Sequence, residues 1–307
     1  MSDERPFDPL LPDRAWTVCF YSYRGGVGRT TLAVNVARDF TYADGMGDHK
    51  VGRCLLLDFD LEAPGVDEFD CMRPSDPDQP GLVEYIREYL DRREDPPLER
   101  FVYAPQGDGG PFVMRAGRRD EAYRRFLMKL SWSEFYRECD GALFLDNLRL
   151  AVVRELGCQT LLIDSRTGHS EIGGVCLGHL ADAVVFVFQP STAHAEGLAQ
   201  AVAAVRDREQ KEERSIPRFY VANKVPEIIE DTIPEEIRAT AEELVRRCEG
   251  QQTEFRNWGF GLTEAERQQR ELEELHDRRY APDVPADAHC SARSTEAGCV
   301  PLPFETL

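Results

Sequence analysis

Tyr23–Thr31 reads YRGGVGRTT, and this stretch decides how the rest of the chain is read. The residues before it, Trp16–Ser22 (WTVCFYS), form an apolar run suited to a buried strand, and Thr30–Phe40 follows with helical spacing. Glycines at 25, 26 and 28 let a backbone curl until its N–H groups converge, and a helix that opens at Arg29 adds its positive dipole end. Such a turn is an anion site, and at a strand-to-helix junction the anion it suits is a nucleotide phosphate. The cradle comprises Gly25, Gly26, Val27, Gly28, Arg29, Thr30 and Thr31, and the Thr30 hydroxyl is placed to ligate Mg²⁺.

Outward from this loop, apolar runs recur at the spacing of alternating strands and helices. Arg53–Asp58 (RCLLLD), Thr160–Asp164 (TLLID), Ala183–Phe188 (AVVFVF) and Arg218–Ala222 (RFYVA) read as strands buried on both faces of a parallel sheet. Helices are expected over 82–90, 120–129, 143–156 and 195–208, with short strands at 101–104 and 112–115 joined by a Gly107–Pro111 turn. The fold class is therefore α/β: a doubly wound, mostly parallel sheet with helices on both faces and a helical C-terminal extension. In such sheets ligands bind beyond the carboxyl ends of the strands, where each polar cluster of this chain falls.

The organisation expected is an N-terminal arm over 1–14, a nucleotide-binding core over 15–225, a helical part over 226–280 packed on the core, and a tail over 281–307. Ile237, Ala241, Leu244, Val245 and Cys248 share one face of an amphipathic helix, and Thr263 with Glu266 could open a second. Whether 74–140 is a partner-binding insertion or scaffold is open at this stage.

Composition narrows the partners. The chain has 307 residues and 37 Lys+Arg against 56 Asp+Glu, a formal charge of −19. That balance disfavours nonspecific nucleic-acid binding, which depends on cations meeting phosphates. With 42% hydrophobic residues it can fill a sizeable core. No apolar run approaches the ~18–20 residues of a membrane span, the acidic first residues lack the order of a secretory leader, and no membrane anchor is expected. The reading is cytoplasmic. Nine scattered cysteines form no C-x-x-C pair, and Cys19, Cys54 and Cys176 read as small buried hydrophobes.

The loop departs from G-x-x-x-x-G-K-[ST], because Tyr23 and Arg29 stand where that pattern has glycine and lysine. It resembles the deviant K-G-G-x-G-K-[ST] loop of the MinD/ParA family of dimeric ATPases, with Arg24 and Arg29 in place of both lysines, in the manner of the G-G-V-G-R branch. Two further motifs over about 15–225 support the resemblance: LLLDFDLEAPG at 55–65 and LLIDSRTG at 161–168. The resemblance implies ATP and Mg²⁺ as cofactors, a nucleotide-dependent homodimer, and an unidentified protein partner. By it, Asp58 lies near the metal and Asp60 orients the attacking water. Asp164 accepts from metal-bound water or from Thr30, and Arg24 reaches the other subunit's nucleotide. Glu62 reads as a cap or surface ion pair and Arg166 as a structural pair. Asn223-Lys224 lacks the acid of a guanine-specific N-K-x-D, since Pro226 occupies that place, which favours adenine with Asn223 as a base contact.

Two functional readings stand on these residues. One is a dimeric switch that hydrolyses ATP slowly, with Asp60, Arg24 and Arg29 in catalytic roles and Thr30, Asp58 and Asp164 around the metal. The other keeps the nucleotide as an assembly signal without hydrolysis. The acid set favours the first, and arginine at position 29 favours the second.

Overall fold

The computed structural model describes residues 14–42, 53–105, 110–223 and 235–249. Six strands form one parallel sheet in the order β3-β2-β4-β1-β5-β6: β1 (Trp16–Tyr21), β2 (Cys54–Asp58), β3 (Phe112–Met114), β4 (Thr160–Asp164), β5 (Ala183–Phe188) and β6 (Arg218–Ala222). Between them run α1 (Arg29–Tyr42), α2 (Leu82–Arg92), α3 (Glu121–Leu127), α4 (Trp132–Glu138), α5 (Gly141–Arg154), α6 (Glu171–Val175) and α7 (Thr192–Glu212), with α8 (Glu235–Glu249) after β6.

The alternation of side chains along each strand builds a core on each face. Val18, Phe20, Leu56, Leu162 and Val187 meet Leu32, Ala33 and Ala37 of α1 on one side. Cys19, Tyr21, Leu55, Leu57, Leu161, Ile163 and Phe186 point to the other, where α2, α4, α5, α7 and α8 add their apolar faces. This is why the central strands carry no polar alternation, since neither of their faces meets water; at the edge, Phe219 of β6 is exposed. Cys19, Cys54 and Cys176 are fully buried, and burial pushes the Cys54 thiol up to about 12.

The segment 74–140 is woven into the larger core. It supplies an edge strand, β3, and an aromatic cluster in which Tyr85 lies 5.1 Å from Phe144 and Tyr89 4.3 Å from Phe144 between ring centroids. The expected strand at 101–104 does not form. Only Tyr103 bridges, antiparallel, to Val113, and Pro105 next to it cannot donate to a ladder. The helix expected over 120–129 forms as α3, and a second short helix that the sequence reading did not expect, α4, follows it. Each has a side-chain N-cap: Asp120 accepts from the Tyr123 amide and Ser131 from the Glu134 amide. A π-helical turn, Cys176–Leu180, extends α6 and has no counterpart in the sequence reading.

Of the C-terminal helical part, α8 is described. It packs against α7, buries Ala241, Leu244, Val245 and Cys248, and is tied down where Glu249 meets Arg206 and Arg218. The arm before Arg14, most of the Gly107–Pro111 turn, the Thr263 helix and the tail over 281–307 lie outside the described residues, as does the side chain of Ile237.

A buried carboxylate secures the amino ends of the strands. Asp182, 4% exposed, precedes β5 and accepts from the Thr17 amide at 3.0 Å, from Arg14 at 3.0 Å and from the buried Arg149, with Arg214 at 3.2 Å. Removing it leaves the buried Arg149 with only the more distant Asp146, at 3.6 Å, as counter-ion, the costly way to break such a group. Asp182→Ala is expected to lower the free energy of unfolding by ~3–5 kcal/mol, measured by urea denaturation.

Candidate functional site: the phosphate loop and its acids

The site lies at the carboxyl ends of β1, β2 and β4. Strand register brings the acids together: Asp58 and Asp164 are directly paired across β2 and β4, and Asp164 also pairs with Phe20 at the end of β1. Immediately beyond Phe20 and Tyr21 the chain turns through the glycine loop into α1.

The loop is shaped by its glycines and braced from outside. Gly26 and Gly28 hold φ of +76° and +86°, where a side chain is strained. A Cβ on Gly28 would also lie 2.3 Å from the Asn223 amide nitrogen, which donates to the Val27 carbonyl at 2.8 Å. Val27 is buried beneath the loop, while Arg24, Gly25 and Gly26 are exposed at its lip. Tyr23 closes the other side. Gly197 of α7 lies so close that an added Cβ would meet the Tyr23 ring at 2.2 Å, and the same ring lies 5.2 Å from that of His169.

Arg29, the first residue of α1, is only 6% exposed. Its Nε donates to Asp164 at 2.6 Å and its Nη2 to Asp60 at 3.0 Å. Beside the loop, Thr30 hydrogen-bonds Asp164, and Thr31 is half-buried on the first turn of the helix. Asp58 is fully buried and accepts from three backbone amides, those of Asp60 (3.1 Å), Gly65 (3.0 Å) and Val66 (3.1 Å). It therefore folds the segment after β2 around itself.

One guanidinium thus meets two buried carboxylates, with a third beside Asp164, and the charge balance shows in their acidities. Burial, with Asp164 alongside, pushes Asp58 up to about 7 against the pull of its three amides. Burial also raises Asp164, while Arg29 and Thr30 lower it, and Arg29 is held firmly protonated by the two acids it touches. This deficit of positive charge is of the kind a divalent cation corrects. The unpartnered atoms agree. Among the described residues, Arg29 Nη1, Asp164 Oδ2 and Ser22 Oγ are buried without a hydrogen-bond partner, a donor, an acceptor and a hydroxyl at one place. The residues present therefore fit a magnesium-complexed polyphosphate. Among the described residues there is no group of three or more His, Cys, Asp or Glu side chains that could hold a metal alone. Magnesium does not need one, since it keeps waters and shares phosphate oxygens.

Comparison with solved structures identifies the fold. The chain superposes on an apo form of the Cyanothece protein McdA with TM-score 0.54 and 17% identity, covering 86% of this chain and 94% of that one. It matches cobyrinic acid a,c-diamide synthase from Mycobacterium smegmatis, solved with bound ADP and magnesium, at TM-score 0.53 and 14% identity over 88% and 98% of the two chains. The Pyrococcus horikoshii septum site-determining protein MinD, complexed with Mg-ADP, gives 0.52 and 14% over 74% and 77%. The fold is that of the MinD/ParA-type P-loop ATPases. No protein-family model matches the chain, and no curated protein matches its sequence.

Within this MinD/ParA-type fold the two segments after the acids are joined to each other and to the loop. Arg166 forms an ion pair with Glu62, linking the stretch after Asp164 to the stretch after Asp60. Gly168 donates its amide to Ser22 at 3.2 Å, and its carbonyl accepts from the Tyr21 hydroxyl. The Ser165 hydroxyl, donating to Phe20, ties the end of β4 to β1. The structure brings Arg29, Thr30, Asp58, Asp60 and Asp164 into one cluster, puts Asn223 against the loop, and leaves Arg24 outside, facing solvent. The sequence reading did not single out Ser22, Tyr23 or Ser165. Their only signal was adjacency to the motifs, because the partners Gly168, Phe20, His169 and Gly197 lie 145 to 174 residues away.

Gly28→Ala is expected to cost at least about 2 kcal/mol of stability, combining positive-φ strain with the Asn223 clash. Asn223→Ala added to it should recover the clash component only, leaving the double variant below wild type in thermal melts.

Proposed function

We propose that this protein is a Mg²⁺–ATP-binding molecular switch that hydrolyses ATP slowly, dimerises with nucleotide bound, and signals to a protein partner. The observation that carries this reading is the convergence of Arg29, Thr30, Asp60 and Asp164 under a glycine loop at the open ends of three parallel strands.

Each residue then has a part. The amides of Gly25–Thr31 bind the phosphates, with Arg29 as their charged partner. Thr30 and Asp164 would hold the metal, directly or through its water, with Asp58 behind them fixing the segment that carries Asp60. Bound Mg²⁺ would neutralise phosphate charge and correct the deficit left by the three carboxylates. Asp60 is the residue that positions the attacking water. Arg24, exposed at the lip of the loop, is free to reach the nucleotide of a second copy, where its planar fork suits phosphate oxygens. Asn223 enters as a brace of the loop through Val27; an adenine contact would require its amide to leave that carbonyl.

The coupling between Glu62 and Arg166 supplies the switch. The segments after Asp60 and Asp164 are linked, so what Asp60 and Asp164 bind is passed to one surface. Neighbours described as a plasmid partition protein from Borrelia burgdorferi and as septum site-determining MinD support a partner-directed role. The charge of −19 directs the partner away from nucleic acid. Among the described residues no helix is long and apolar enough to cross a membrane.

A second reading, nucleotide binding without hydrolysis, draws on one observation: Asp60 is ion-paired to Arg29 at 3.0 Å. Single-turnover assays separate the two. Phosphate release at least about 10²-fold above an Asp60→Asn control establishes the ATPase. Tight binding with release no faster than that control establishes the scaffold. ATP at a hundred times its Kd should stabilise the protein by about 2.7 kcal/mol in thermal-shift assays, and the absence of any shift sinks both readings. Light scattering should show a doubled mass with ATP and Mg²⁺.

A further inference from the structure

The contacts of Arg29 go further than a phosphate-binding role. A guanidinium grips phosphate best through two parallel N–H groups on one edge. In this structure the Nε–Nη2 edge of Arg29 is occupied by carboxylates, Asp164 at 2.6 Å and Asp60 at 3.0 Å, and Nη1 alone has no partner. Asp60 is equally committed. Its Oδ2 meets Arg29, and its Oδ1 accepts the Ala63 amide at 3.3 Å. The pair is shielded from solvent, with both side chains at 7% exposure or less, so salt does not screen it.

We infer that Arg29 is an exchange latch: the phosphates of ATP and the acids Asp60 and Asp164 compete for the same edge of one guanidinium. The inference rests on the proposed nucleotide-binding function and adds to it a regulation of the same site. Phosphate takes Arg29 from the acids, and only that transfer frees Asp60 Oδ2 to accept from water. Binding and the arming of the water-orienting acid become one event. An ammonium in place of the guanidinium is a single point of charge and cannot span the two acids with a fixed fork, so the latch is a property of arginine at this position. The pairing also weakens apparent affinity, because nucleotide binds with full strength only to the fraction of molecules in which Arg29 is released.

The test is a double-substitution cycle read by calorimetry with ATP in EDTA, so that neither metal nor turnover enters. In the Arg29 protein, Asp60→Asn should tighten ATP about fivefold by loosening the latch. In an Arg29→Ala background the same change should alter affinity less than about twofold, because no latch is left. Equal tightening in both backgrounds would overturn the inference, since it would then be simple removal of a negative charge. Melting without added nucleotide provides a second reading when Arg29→Ala binds too weakly to titrate. Asp60→Asn and Arg29→Ala should each lower Tm, and the double variant should lose clearly less than the sum. Strictly additive losses would overturn the latch. A wild-type protein that binds no ATP would refute the proposed function, a failure distinct from either of these.

Discussion

The arrangement depends on one guanidinium meeting two buried carboxylates with a third behind them. Asp58, Asp60 and Asp164 are placed at the ends of strands whose flanks are apolar, so they are withdrawn from water before any ligand is considered. Buried charge is tolerated only when it is paired or hydrogen-bonded, and here the compensation is divided. Asp58 is met by three amides of its own loop, Asp164 by Arg29 and Thr30, and Asp60 by Arg29 and the Ala63 amide. The conformation of the loop after β2, the orientation of Arg29 and the position of the first turn of α1 are consequences of that balance.

The opposite end of the sheet provides a contrast. There Asp182 is surrounded by Arg14, Arg149 and Arg214, two of which also meet Asp146 and Glu212, with the backbone amide of Thr17 completing its contacts. Asp182 is fully satisfied and its cluster is structural. At the carboxyl ends acids exceed cations and three buried polar atoms lack partners among the described residues. Two ends of one sheet, built from the same residue types, differ in whether their buried polar atoms are all partnered.

The glycine loop and the middle segment show how far local reading reaches. Thr160–Asp164 and Ala183–Phe188 were legible to the residue, because a strand buried on both faces is an uninterrupted apolar run bounded by polar residues. The edge strand Arg218–Ala222 was legible from its β-branched and aromatic run, although Phe219 is exposed. The separate helix α4 was not, since a seven-residue helix opened by the Ser131 cap is too short to show a periodicity of its own. The π-turn over Cys176–Leu180 was not either, because it is a local backbone adjustment in a segment whose apolar residues face the larger core. Tyr103 shows the converse: β-rich composition at 101–104 yields a single antiparallel bridge to Val113, with Pro105 closing the run.

By itself, then, the sequence determined the fold class, the glycine turn and the acids at the strand ends, because each is a matter of residue type and short-range spacing: glycine where φ is positive, a hydroxyl after a cation, carboxylates after apolar strands. It determined that Glu62 and Arg166 were candidates for ion pairs, but not that they pair with each other. Only the tertiary structure decided which acids Arg29 holds, that Asn223 braces Val27, and that Tyr23 lies against Gly197 and His169. Those contacts join residues 31 to 196 positions apart. Strand order and register set them, and both emerge only when the whole sheet buries its two faces at once.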